Sequence, residues 1–101
     1  MIMKHNLVAF VFVRTDSSDR HAAASLARIP QVVEVHRVAG EDCYLLKVCL
    51  PGTAELGCLV REKIERIESV RNTQTTIVLK TVKERGKATS AGQPVVANRS
   101  R

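Results

Sequence analysis

A glycine followed by two adjacent carboxylates, Gly40-Glu41-Asp42, lies inside the run Val38-Ala39-Gly40-Glu41-Asp42-Cys43-Tyr44-Leu45-Leu46-Lys47-Val48. Strand-type residues flank the three on both sides, so they form a turn. Glycine there can adopt positive φ and lets backbone approach another group closely. The two carboxylates beside exposed main-chain donors can pair with the ammonium of a small zwitterion while nearby N–H groups receive its carboxylate. The plainer alternative is a tight hairpin whose acids are solvated, since turns are commonly polar. Both readings stay open on these residues alone.

Other chemistry-bearing residues form no recognised constellation. The chain has no G-x-S-x-G and no His-Glu-x-x-His. His5, His21 and His36 have no carboxylate or cysteine at ligand spacing and read as surface or partly buried side chains. Cys43, Cys49 and Cys58 are odd in number and form no C-x-x-C, which argues against a disulfide framework or a zinc site. An even separation puts Cys43 and Cys49 on one face of a strand. They read as reduced thiols behaving like small hydrophobes, in a reducing cytosol. Neither catalytic nor metal-binding residues are expected, nor any cofactor.

The formal charge of +6 suggests nucleic acid until it is located. Residues 1–79 carry ten Lys/Arg against nine Asp/Glu, whereas residues 80–101 carry six against one. The basicity therefore belongs to the C-terminal end, which reads as a solvated segment with weak, salt-sensitive attraction for polyanions. Phe10, Phe12 and Tyr44 are the only aromatics, too few for base-stacking platforms. Met1-Ile2-Met3-Lys4-His5 leads directly into a strand pattern without a signal-peptide cleavage site, and no apolar run nears the ~20 residues that span a bilayer. The expected location is the cytoplasm.

The elements that position the turn follow from periodicity. Leu7-Val8-Ala9-Phe10-Val11-Phe12-Val13 is continuously apolar, which predicts a first strand covered on both faces. Thr15-Asp16-Ser17-Ser18-Asp19 offers helix caps, His21 to Arg28 reads as a short helix, and Pro30 stops it. Val32 to Ala39 reads as the second strand, with Val33 and Val35 on one face and Glu34 and His36 on the other. Cys43 to Leu50 is the third, and three polar turn residues make the pair a hairpin. Thr53 is the expected cap of a second helix with an apolar stripe at Leu56, Leu59, Val60, Ile64 and Ile67. Gly57 inside it suggests a close packing contact. Val70 to Val82 reads as the fourth strand.

The predicted fold is α+β: a ferredoxin-like βαββαβ unit with a four-stranded antiparallel sheet and two helices on one face. Residues 1–83 form the domain, and 84–101 read as a basic, disordered tail with Pro94-Val95-Val96 available to grip a neighbour. No chain is left to cover the second face of the first strand, so a second copy is expected to do so, giving a dimeric α+β barrel. Acylphosphatases share the element order. Their glycine-rich anion loop after the first strand is absent here, where Arg14-Thr15-Asp16-Ser17-Ser18 stands. Six residues before the first strand cannot supply a helix-turn-helix, so no direct sequence-specific DNA binding is expected.

The stretch Val32-Val33-Glu34-Val35-His36-Arg37-Val38-Ala39-Gly40, with Glu41-Asp42-Cys43-Tyr44-Leu45-Leu46-Lys47-Val48 after it, resembles the effector-binding domain of the Lrp/AsnC regulators, also called RAM, for regulation of amino-acid metabolism. Glu55-Leu56, Glu62-Lys63-Ile64, Ser69-Val70 and Thr73-Gln74-Thr75-Thr76-Ile77-Val78-Leu79 agree in order and spacing, so the resemblance covers roughly residues 7–83. It implies a non-enzymatic effector-sensing and oligomerisation domain of a transcription regulator. Dimers would assemble into rings, with an amino-acid effector bound between dimers. Carried over by position, Gly40, Glu41, Asp42, Cys43 and Tyr44 would form one wall, although Tyr44 by itself reads as a core or interface residue and not a ligand-facing one. Thr73, Gln74, Thr75 and Thr76 would form the other, which a neighbouring subunit can supply. Read without the resemblance, Thr73 to Thr76 are equally a polar strand end. The family commonly shows aspartate at the position of Cys43, and this chain has Asp42 one place earlier. Lacking a DNA-binding part, such a domain would act through a partner such as a full-length relative. The alternative is a small dimeric α+β-barrel enzyme, monooxygenase-like, which needs a polar cluster in the cleft between sheet and helices. Only His36 is available for that cluster.

Overall fold

The computed structural model describes residues 7–88. Four strands, β1 (Leu7–Thr15), β2 (Val32–Val38), β3 (Cys43–Leu50) and β4 (Val70–Ile77), form one antiparallel sheet in the order β2-β3-β1-β4. Helices α1 (Ala22–Ala27) and α2 (Thr53–Leu59) provide the two crossovers. This is the βαββαβ order expected from the pattern, with β1 central because it is apolar on both faces.

Register sorts the side chains. Ala9, Val11 and Val13 of β1 stand beside Val48, Leu46 and Tyr44 of β3. They share one buried cluster with Ala22 and Leu26 of α1, Leu56 and Leu59 of α2, and Ile64. Burial of seven side chains with essentially no exposure (Val11, Val13, Leu26, Leu46, Val48, Leu50 and Ile64) supplies the main driving force. The intervening residues, Val8, Phe10 and Phe12 of β1 with Leu45, Lys47 and Cys49 of β3, point to the face away from the helices, where each keeps partial exposure. Cys43 and Cys49 do lie on this same open face.

Several local expectations are corrected. β2 pairs Val32 with Val48 and then Glu34 with Lys47, so a bulge falls at Val33. The bulge turns Val33 outward, 53% exposed, and Val32 takes the place beside Val35 against the core. Gly52, in extended backbone, stands at the cap position of α2 in place of Thr53, and no side chain caps it. Helix α2 continues as a π-helical segment, Val60–Ile64, in which the Glu65 amide donates to the Val60 carbonyl at 2.8 Å. A Cβ built on Gly57 meets nothing within 4 Å, so that glycine marks no close contact.

β4 ends at Ile77, five residues before the expected limit, although the Val78 amide still reaches the Val8 carbonyl at 2.8 Å. Beyond it the chain crosses the open face as an arm. Val78, Lys80, Val82, Lys83 and Glu84 enclose a hollow of about 550 Å³ with Val8, Phe10 and Lys47. The arm ends in a small hairpin, β5 (Lys83–Glu84) with β6 (Lys87–Ala88), turned by Arg85 and Gly86, both at positive φ. The segment read as a disordered tail from residue 84 thus begins as paired backbone, because Arg-Gly supplies a hairpin turn that its charge pattern conceals. Pro94-Val95-Val96 lies outside the described residues. No described helix is long and apolar enough to cross a membrane.

Candidate functional site

The β2–β3 turn is shaped by two residues with left-handed backbone. Gly40 has φ +117° and Asp42 has φ +53°, a conformation that aspartate tolerates better than most residues. The Asp42 carbonyl accepts from the Thr15 amide at 2.9 Å and from the Thr15 hydroxyl at 3.3 Å. The turn is therefore fastened to the end of the central strand. Thr15 is itself buried, which makes the fastening part of the core's margin.

Each candidate side chain has a definite setting. Gly40 and Glu41 are exposed, and Asp42 is half-buried. The Cys43 thiol is buried and donates to the Glu41 carbonyl at 3.2 Å, folding back onto the turn that carries it. Tyr44 is buried on the helix-facing side beside Val13, so its ring belongs to the core and away from any ligand held by the turn. In β4, Thr73 and Thr75 stand beside Val13 and Val11 on the helix side, while Gln74 and Thr76 stand beside Phe12 and Phe10 on the open face. The Thr73 hydroxyl donates to Glu65 at 3.0 Å. Thr75 borders a hollow of about 380 Å³ with Leu56, Gly57, Val60 and Arg61.

The turn and the Thr73–Thr76 stretch are not brought together within one protomer. β1 lies between β3 and β4, so two strand spacings, roughly 10 Å, separate them before any side chain is considered.

At the same end of the sheet lies a polar cluster that sequence reading missed. A hollow of about 410 Å³ is bordered by Asp16, Ser18, Asp19, Glu68, Ser69 and Arg71. The Ser18 amide donates to Asp16 Oδ1 at 2.9 Å and Arg71 Nη2 to Asp16 Oδ2 at 2.6 Å. The His21 amide donates to Asp19 Oδ1 at 2.8 Å, and the Ser69 hydroxyl donates to Asp19 Oδ2. All four oxygens of the Asp16 and Asp19 carboxylates are taken by protein donors. The Ser18 amide and then the Arg71 guanidinium hold the Asp16 carboxyl down at about 2, and the Ser69 hydroxyl with the His21 amide lowers Asp19. The cluster closes the β1–α1 loop onto the entry of β4. Asp16-x-x-Asp19 was visible as cap chemistry, but partners 50 and 55 residues away were not.

Among the described residues, no group of three His, Cys, Asp or Glu is arranged to hold a metal. His36 bonds Glu34 at 2.9 Å on the exposed side of edge strand β2, pulling the Glu34 carboxyl down. By register it faces away from the helices, so the sheet–helix cleft of the enzyme alternative lacks its only candidate.

The four-stranded antiparallel sheet with its two crossover helices is a two-layer α+β domain of the ferredoxin-like class. The chain is a member of the Lrp/AsnC family: the model of the Lrp/AsnC ligand binding domain matches residues 8–88. It is 42% identical over 80 residues to PH1916, an HTH-type transcriptional regulator of Pyrococcus horikoshii, covering 75% of this chain and 53% of the relative. It therefore spans about half the length of the curated relatives it matches. Among solved structures, the feast or famine regulatory protein Rv3291c from M. tuberculosis, complexed with L-methionine, is 34% identical. Its TM-score is 0.69 over 80% of this chain and 55% of that one. TTHA0845 from Thermus thermophilus is 30% identical with TM-score 0.69, covering 77% of this chain and 99% of that one. The chain thus carries the ligand-binding part of a family of transcription regulators.

Proposed function

We propose that the chain is a non-enzymatic amino-acid sensor that works as an assembly of copies in the cytoplasm. The observation that carries this reading is the division of the two candidate walls between opposite sides of β1. In this reading the two walls of one pocket come from different protomers, which would make binding and assembly one equilibrium. The family membership supports an effector role, and the L-methionine bound to Rv3291c supports an α-amino acid as its chemical class. The half-buried apolar residues on the open face, Phe10, Phe12 and Leu45 among them, support pairing of two sheets. Pairs of dimers in a ring would then place the Gly40 turn of one dimer near β4 of another.

Glu41 and Asp42 would pair with the ammonium, and backbone N–H groups around Gly40 would receive the carboxylate. Effector binding changes the assembly, and a DNA-binding partner, such as a full-length relative joined through the same face, transmits the change. The test is a thermal-shift screen against the twenty amino acids with particle mass measured alongside. A ligand at a hundredfold excess over Kd stabilises by ~2.7 kcal/mol, an easily read shift for a domain of this size. Asp42→Ala should lose most of that response. If no amino acid moves the melting temperature or the mass, the sensing role is refuted.

A further inference from the structure

Lys47 is the one lysine or arginine of β3, and register puts it on the open face between Phe10 of β1 and Glu34 of β2. Its side chain is already only 22% exposed in a single protomer. Two carboxylates lie within reach of it. Glu34, its neighbour across the β2–β3 ladder, is bonded to His36 at 2.9 Å. Glu84, carried by the arm, pairs with the ammonium at 3.5 Å and stays 54% exposed. Glu84 is also the sole acid among residues 80–101, against six lysines and arginines. A solvated basic segment has no use for that acid, whereas an ammonium about to be covered does.

We infer that Glu84 is the counter-ion that lets Lys47 enter an interface between two copies of this chain, and that the arm of residues 78–84 is the clasp delivering it. The inference rests on the sheet-pairing part of the proposed function. The occupant of the face is a second copy: Lys47, Lys80 and Lys83 outnumber Glu84 around the hollow, so the Glu84 of each copy has an ammonium of the other to meet. A twofold axis can set the Glu84 of each copy near the Lys47 of the other without any new residue type. The arm carries the apolar surface such an interface would cover: Val82, beside Val8 and Phe10, is 58% exposed, and Leu79 is 94% exposed. Covering the face strips the remaining water from Lys47, and a stripped ammonium without a carboxylate opposes association. Exposed Glu84 bears much less of that penalty.

The asymmetry provides the test. Sedimentation equilibrium of the 101-residue chain is compared for wild type, Glu84→Gln, Lys47→Met and the double variant, with circular dichroism melts confirming that each folds. Glu84→Gln is expected to raise the dimer dissociation constant at least tenfold. Lys47→Met should leave it within about threefold of wild type, and adding Lys47→Met to Glu84→Gln should restore association. A dimeric wild type whose dissociation constant ignores Glu84→Gln overturns the counter-ion assignment and leaves sheet pairing standing. So does a double variant as weak as Glu84→Gln alone. A wild type that stays monomeric at every concentration overturns sheet pairing itself, and the counter-ion role with it.

Discussion

Thr15 and Asp42, 27 residues apart, are joined twice: the Asp42 carbonyl accepts from the Thr15 amide at 2.9 Å and from its hydroxyl at 3.3 Å. The amide bond extends the ladder between β1 and β3 into the turn, and the buried hydroxyl supplements it. Thr15→Val keeps the first bond and removes the second. The expected loss is roughly 0.5–1 kcal/mol, since a single neutral hydrogen bond contributes modestly on balance. Urea denaturation should show a lower midpoint with an unchanged slope.

Gly40 is the stricter constraint on the same turn. At φ +117° any side chain is strained, and a Cβ there would stand 3.2 Å from the Cys43 sulfur. Gly40→Ala therefore combines a backbone penalty with displacement of a buried thiol, and about 1–2 kcal/mol of destabilisation is expected. For a domain of this size that lowers the melting temperature by several degrees. The paired variant Gly40→Ala with Cys43→Ala should recover the part due to the contact, leaving the part due to φ.

Asp16 sets a pH dependence of known sign. Its carboxyl is held at about 2 in the folded chain against 3.8 when free, first by the Ser18 amide and then by Arg71. The unfolded chain therefore binds a proton at higher pH than the folded one. Stability from this group is complete above the free value and fades as pH falls toward the folded one. Carboxyl-carbon NMR should find the Asp16 midpoint well below 3.8. Arg71→Gln should raise it part of the way, because the Ser18 amide remains. Asp16→Asn should flatten the acid limb of the stability profile over the same interval.

Gly57 works in the opposite direction. It sits in α2 with nothing within 4 Å of a built Cβ, so its flexibility serves no packing purpose in the protomer. Gly57→Ala is expected to stabilise the chain by roughly 0.5–1 kcal/mol through helix propensity. The melting temperature should rise without any change in the circular dichroism of the folded state.

Much of the fold was legible because its signals are local. The unbroken apolar run of β1 and the stripe from Leu56 to Ile64 each report burial through sequence pattern alone, and both elements form. The misread positions depend on non-local pairing. Val33 looked core-facing because alternation assumes an unbroken ladder, while the bulge exists only where β2 meets β3. The arm after Ile77 looked first like strand and then like tail, since its path is set by the surface it crosses.

For the candidate site, Gly40 and the two acids were legible as a turn because glycine and carboxylates mark turns by composition. Sequence also determined that Cys43 and Cys49 share a face and that the basic charge gathers at the C-terminal end. Tertiary structure alone decided that Asp42 is fastened to Thr15 and that β1 separates the turn from Thr73 to Thr76. It alone set Glu84 beside Lys47. The physical reason is common to these cases: periodicity encodes which face a residue takes along its own strand. Which strand lies beside it, and which distant carbonyl or carboxylate meets it, is settled only when the sheet closes in the order β2-β3-β1-β4.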